Sequence, residues 1–149
     1  MRLPLALPIV LTAIVGLTAC GGEVPNKEAG TPADATDPSG DAILAKAYEE
    51  HATDLQVEGR GIVVRVLDDD VDGSRHQRFV VRLSSGQTLL VAHNIDLAPR
   101  VRGLRVRSSV SFYGEYEWNE EGGTIHWTHI DPDGEHVAGW LRHGGRTYQ

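Results

Sequence analysis

From Val57 onward the apolar residues of this chain recur at every second position, in short runs cut by turns rich in Gly, Asp, Asn and Ser. That period admits a sheet and little else. Ile62, Val64 and Val66 alternate with Val63, Arg65 and Leu67 up to the acidic turn 68–74. Phe79, Val81 and Leu83 then share one face against Val80 and Arg82, and Ser84-Ser85-Gly86 turns the chain into a third run, 88–93. A longer connection, 94–109, contains Pro99, Gly103 and the basic run Arg100, Arg102, Arg105 and Arg107. The fourth run, 110–118, puts Val110, Phe112, Tyr116 and Trp118 in phase; Asn119 to Gly123 turns it into a fifth, 124–129. A meander of three strands followed by a separate pair predicts a mainly β chain, a small five-stranded OB-like β-barrel, with a half-open barrel or small sandwich as the alternative. The partly apolar tail 139–148 is expected to pack back on it. Cys20 is the only cysteine, so no disulfide staples the barrel and its core must hold it together alone.

Ahead of the barrel, Asp41 is expected to cap a helix from about Ala42 to Thr53, where Ile43, Leu44, Ala47 and Tyr48 recur at helical spacing. Residues 21–40 are Gly, Pro and small polar groups with almost no large apolar side chain, the composition of a flexible tether. Residues 1–19 begin with Arg2, continue through the apolar run Leu3 to Val15 and end in Leu17-Thr18-Ala19. That is the layout of an export signal. Leu17-Thr18-Ala19-Cys20 also resembles the lipobox of bacterial lipoproteins, which implies cleavage before Cys20 and lipidation of its thiol. Gly21 is not the aspartate that resembles an inner-membrane retention signal, so the expected location is the outer membrane, facing the periplasm, if the cell has two membranes. The expected organisation is a lipoprotein signal peptide over 1–19, lipidated Cys20 and tether over 20–40, and a barrel domain over 41–149. The net charge of −7 is concentrated early: eight acids oppose only Lys27 and Lys46 between Cys20 and Leu55, whereas thirteen acids face eleven arginines from Gln56 onward. A near-neutral domain on an acidic leader argues against nucleic acid as a partner.

Chemistry-bearing side chains are densest between Gly123 and His136, and six of the seven histidines (His76, His93, His126, His129, His136, His143) fall within the strand-bearing region. Neutral imidazole is the commonest metal ligand of proteins. On a regular strand His126 and His129 point to opposite faces, so they converge on one ion only across a bulge or strand end. His126 is expected to face outward beside Glu115 and Glu117, whereas His129 and Asp131 leave the sheet at its end. Two carboxylates and an imidazole on adjacent strands suit Zn²⁺ or Mn²⁺, or a pair of acid and base groups. A solvated face with cross-strand pairs is the plainer alternative. His93-Asn94-Ile95-Asp96, at the end of the third strand, is a second candidate, against a hydrogen-bonded turn. The candidate ligand-binding residues are therefore His93, Asn94, Asp96, Glu115, Glu117, His126 and His129. His126, His129 and Asp131 are the candidate metal ligands.

Several unusual words occur in order: Val64-Arg65-Val66-Leu67-Asp68-Asp69-Asp70, His76-Gln77-Arg78-Phe79, Ala92-His93-Asn94-Ile95-Asp96-Leu97-Ala98-Pro99, Gly114-Glu115-Tyr116-Glu117-Trp118-Asn119 and His126-Trp127-Thr128-His129. Through them, residues 41–149 resemble a bacterial family catalogued as domain of unknown function 3465, which implies no activity. A weaker resemblance, through Val66-Leu67-Asp68 with Asp70, Val81-Arg82-Leu83 and Ile95 to Pro99, is to staphylococcal-type thermonucleases. It would make Asp70 and Asp96 metal ligands of a phosphodiesterase-like hydrolase. The chain has Leu89-Leu90-Val91-Ala92 where that family carries a catalytic arginine, and Arg100 where it carries a glutamate. The expectation is a binding module for a small molecule or an envelope protein, attached to the membrane through Cys20, with a metal-dependent hydrolase as the alternative.

Overall fold

The computed structural model describes residues 38–149. The expected signal peptide, Cys20 and nearly all of the expected tether lie outside the described residues. No helix among the described residues is long and apolar enough to cross a membrane.

The element order is α1 (Pro38–Glu49), β1 (Leu55–Val66), β2 (His76–Arg82), β3 (Thr88–Asn94), β4 (Ser109–Glu117), β5 (Thr124–His126), β6 (Trp140–His143) and β7 (Arg146–Tyr148). Neighbouring strands follow the order β1-β2-β3-β5-β4, and β4 pairs back onto β1, so five strands close a barrel. It is mixed, because β3 and β5 run parallel while the other pairs are antiparallel. This is the OB-like barrel expected from the spacing of the apolar runs. The tail adds the hairpin β6–β7 to the free part of the β4 edge.

Closure rests on the length of β1. Its first part, Leu55 to Ile62, pairs with β4, and its last part, Ile62 to Val66, pairs with β2. Within the first part, Gly59 lets the Phe112 ring pack against the β1 backbone: a Cβ there would lie 2.5 Å from that ring. A bulge at Val64 follows, since Val63 faces Val81 but Arg65 faces Val80. The regular alternation expected over 62–67 breaks there, leaving Val63 fully buried and Ile62 and Val66 exposed. Inside the barrel, Phe79, Val81, Leu89, Val91, Val110, Phe112, Tyr116, Ile125 and Leu141 are inaccessible to solvent.

The helix begins four residues before its expected start and ends before Thr53. Pro38 opens it, a residue suited to a first helical turn. At the other end His51 has φ of 53°, with bonds from His51 N to Tyr48 O and from Ala52 N to Ala47 O. These are the two bonds of a Schellman stop. Leu44 and Ala47 are buried against the barrel, whereas Ile43 is exposed. Asp41 therefore lies inside the helix and does not cap it. Its buried carboxylate accepts bonds from Ser84 Oγ and, at 3.0 Å, from Ser85 N, tying the helix to the β2–β3 turn.

The connection 95–108 has no regular structure, yet two buried polar side chains from the strands pin it. The Gln77 amide donates to Val101 O at 3.1 Å and accepts from Val101 N at 2.9 Å. His93 reaches Pro99 O at 3.1 Å.

Replacing Asp41 by alanine removes the charged acceptor that the Ser84 hydroxyl and the Ser85 N–H share and should cost about 2 kcal/mol of stability. Denaturant midpoints of the two proteins measure the loss; an unchanged midpoint would show that this tie contributes nothing.

Candidate functional site

The outward side chains of β4 are Ser109, Ser111, Tyr113, Glu115 and Glu117, opposite to buried Val110, Phe112 and Tyr116. At the Glu115 end, β5 pairs in register: Glu115 faces His126, Tyr116 faces Ile125 and Glu117 faces Thr124. Directly opposed residues share a face, so His126 stands beside both glutamates. Its Nε2 lies 3.3 Å from Glu115 Oε1 and 3.3 Å from Glu117 Oε1. That nitrogen is enclosed yet makes no hydrogen bond, and one donor atom from each of the three residues falls within 4.8 Å of the others. Gly114 makes the approach possible, since a Cβ there would sit 2.5 Å from His126 O.

The second oxygen of Glu115 is held by His136, whose Nε2 lies 2.5 Å from Oε2. Nδ1 of the same ring is 2.9 Å from Val137 O. Both ring nitrogens thus face oxygen atoms, an arrangement in which the imidazolium can donate on both sides. Burial opposes charging of this ring, but the Glu115 carboxylate and the Val137 carbonyl outweigh it and raise its pKa. The ring stacks on Trp127 at 4.1 Å between centroids and 8° between planes, a cation lying on an aromatic face.

Strand β5 ends at His126, three residues earlier than expected, because Trp127 takes φ of 50°. The left-handed residue turns the chain inward. Thr128 is buried, and His129 is buried with Nδ1 2.9 Å from Ile130 O. Asp131 organises its own loop, accepting bonds from the amides of Asp133, Glu135 and His136. Those amides, His136 first, hold its carboxyl below the usual carboxylate range. The expected trio His126, His129 and Asp131 is therefore not brought together. The donors that do converge are Glu115, Glu117 and His126.

The second sequence candidate is a turn and a core residue. Asn94 Oδ1 accepts from Asp96 N at 2.9 Å, and Asp96 is bound by Arg75 through its backbone amide at 2.8 Å and its guanidinium at 2.6 Å. The Arg75 amide, then its side chain, lowers the Asp96 pKa. Asp70, the other aspartate of the thermonuclease-like pattern, pairs with Arg78 at 3.4 Å. Neither joins a three-donor group among the described residues. His93 is fully buried, with Nδ1 2.8 Å from Thr128 Oγ1 and Nε2 3.1 Å from Pro99 O. A carbonyl can only accept, so the proton is on Nε2 and Nδ1 accepts from the hydroxyl. Sequence reasoning did not single out His136 as a member of the site. The signal was its place in a histidine-rich segment, but a loop between it and Glu115 hides the contact.

The fold and the cluster define a small mixed β-barrel with a carboxylate–imidazole group on its outer face. Residues 30–149 match the family model described as protein of unknown function DUF3465, and the chain belongs to that family. No curated protein and no solved structure gives a match.

Burial pushes the His93 pKa down from 6.5 to about 4, with the Pro99 carbonyl opposing and the charges of His129 and His76 adding to the shift. The unfolded chain binds this proton below about pH 6.5 and the native state does not. Stability contributed by neutral His93 is therefore fully present above that pH and is lost as pH falls towards 4. Over the window the loss should be about 3 kcal/mol. Melting temperatures of the protein and of His93→Gln across pH 7 to 4 measure it; equal acid sensitivity in both would rule out this histidine as the cause.

Proposed function

We propose that this protein is an envelope lipoprotein whose barrel is a binding module, and that the barrel takes a divalent transition metal at Glu115, Glu117 and His126. The observation that carries the reading is the His126 Nε2 atom, enclosed, without a hydrogen bond and 3.3 Å from an oxygen of each glutamate. Zinc binds such atoms at about 2.0–2.2 Å in a tetrahedron, in which two ligands stand roughly 3.3–3.5 Å apart. The spacing fits that edge. One imidazole and two carboxylates suit Zn²⁺ or Mn²⁺ better than Ca²⁺, which takes six to eight oxygens. His136 supports the reading from outside the donor set, because its bond to Glu115 Oε2 leaves Oε1 turned towards His126. The membrane attachment in this proposal rests on Leu17-Thr18-Ala19-Cys20 and places the barrel at the outer membrane, facing the periplasm, in a cell with two membranes.

A metal-dependent hydrolase is the second reading. The count of three protein ligands favours it, since hydrolytic zinc sites keep a fourth position for water. Chelator-sensitive turnover of a phosphodiester would select it over a module that only binds.

Elemental analysis of the full chain, purified without chelator, should find one equivalent of metal. Added Zn²⁺ at a hundredfold excess over its Kd should stabilise the fold by about 2.7 kcal/mol, and His126→Ala or Glu115→Gln should abolish the thermal shift. Absence of both metal and shift sinks the metal reading and leaves an ordinary ion-pair cluster. Lipid attachment has its own test: labelled fatty acid should enter the wild-type chain and be lost in Cys20→Ala, and equal labelling of the two would remove the anchor.

A further inference from the structure

The opposite end of the same sheet face has the opposite charge. In register across β4, Ser111 faces Arg60 of β1 on one side and Arg142 of β6 on the other. Together with Ser109, His143, Gly144 and Gly145 they line a pocket of about 220 Å³, and none of the described residues lining it is a carboxylate. We propose that this pocket is an oxyanion site that takes the phosphoryl group of a phosphate ester.

The groups around it are fixed in place. The Arg142 guanidinium lies 3.8 Å over the Trp140 ring; stacking of this kind holds the planar fork still and leaves its donors available to an anion. Arg60 Nε donates to Ser109 Oγ at 3.0 Å, and His143 Nδ1 lies 3.0 Å from Ser109 O. Because that carbonyl accepts from Nδ1, His143 is oriented by β4. Two serine hydroxyls add neutral donors, and arginine forks match the paired oxygens of phosphate. The β6–β7 turn closes one side with Gly144 and Gly145, both at positive φ.

The surroundings supply the field. Residues 97–114 carry four arginines and no acid, and residues 136–149 carry two arginines and no acid. The β4–β6 pairing brings these segments together in a chain of net charge −7. Among the described residues Arg102, Arg105, Arg107, Arg142 and Arg146 make no ion pair, whereas Arg100 is taken by Asp69. The next outward row holds Glu58 opposite Tyr113, outside the pocket lining. The site shares β4 with the metal cluster but no residue, so the two proposals stand or fall separately.

Inorganic phosphate titrated into the full chain at constant ionic strength, with chloride as the matched salt, tests the site through amide chemical shifts. Phosphate should move the Ser111, Arg142, Gly144 and Gly145 amides saturably. Arg142→Gln should weaken binding roughly tenfold, and Ser111→Ala should weaken it less, while the Zn²⁺ thermal shift of the wild type is retained in both. Equal movement with chloride, or unchanged affinity in both variants, would overturn the proposal. A second arm uses vesicles of phosphatidylglycerol and of phosphatidylcholine with Cys20→Ala, with and without Arg142→Gln. Arg142-dependent retention on the anionic vesicles alone assigns the phosphate to a lipid headgroup; phosphate-induced shifts without such retention assign it to a soluble ester.

Discussion

The pairing of β1 with β4 is the constraint on which the other features depend. An open five-stranded sheet would expose two edges and leave its apolar face uncovered, so closure is what buries Phe79, Phe112, Tyr116 and Ile125 in one interior. Closure requires β1 to serve two partners, and its twelve residues manage this with Ile62 shared between them and a bulge at Val64. Once β1 occupies one edge of β4, only the other edge remains. There β6 takes residues 111–113 and β5 takes residues 115–117. The sharing of one edge by two short strands sets which side chains flank β4 and therefore what its outer face can bind.

The left-handed turn at Trp127 decides the composition of the acidic end. A bulky residue at positive φ costs on the order of 1–3 kcal/mol and persists only where its surroundings hold it. Here Trp127 is stacked on His136 and lies 5.3 Å from the His129 ring. By ending β5 after His126, the turn divides the histidine-rich segment three ways. His126 stays on the sheet with the glutamates, Thr128 goes inward to hold His93, and the returning loop brings His136 to the far side of Glu115. A regular strand through His129 would place Thr128 outside and leave the His93 Nδ1 atom without its donor.

Much of the barrel was legible because period-two patterning reports burial directly. Phe79, Val81 and Leu83, and later Val110, Phe112 and Tyr116, are buried on the face their alternation assigns. The separation of His126 from His129, and the placement of His126 beside Glu115 and Glu117, also followed from that period. What periodicity does not encode is departure from it. The Val64 bulge, the Trp127 turn and the β6–β7 hairpin have no signature in alternation, since each is set by a partner far away in sequence. The helix boundary was misread for a related reason: Asp41 looks like a cap locally but is committed to Ser84 and Ser85, over forty positions away. Gln77 went unnoticed because a polar residue at a strand start reads as solvated until the loop it clamps is known.

Net charge also concealed an organisation that strand register reveals. Along β4 the outward rows pass from Arg60, Ser111 and Arg142, through Glu58, Tyr113 and Trp140, to Glu115 and His126. Ser111 and Glu115 are four residues apart, a separation of about 13 Å along a strand. The screening length in physiological salt is about 8 Å, so the two ends attract their own counter-ions more strongly than they feel each other. The row between them sets Tyr113 and Trp140, with centroids 6.2 Å apart, beside Glu58 of β1. Two independent ligands of opposite charge fit this face better than one extended zwitterion, because a single ligand would have to span the aromatic row and satisfy both ends in one fixed geometry.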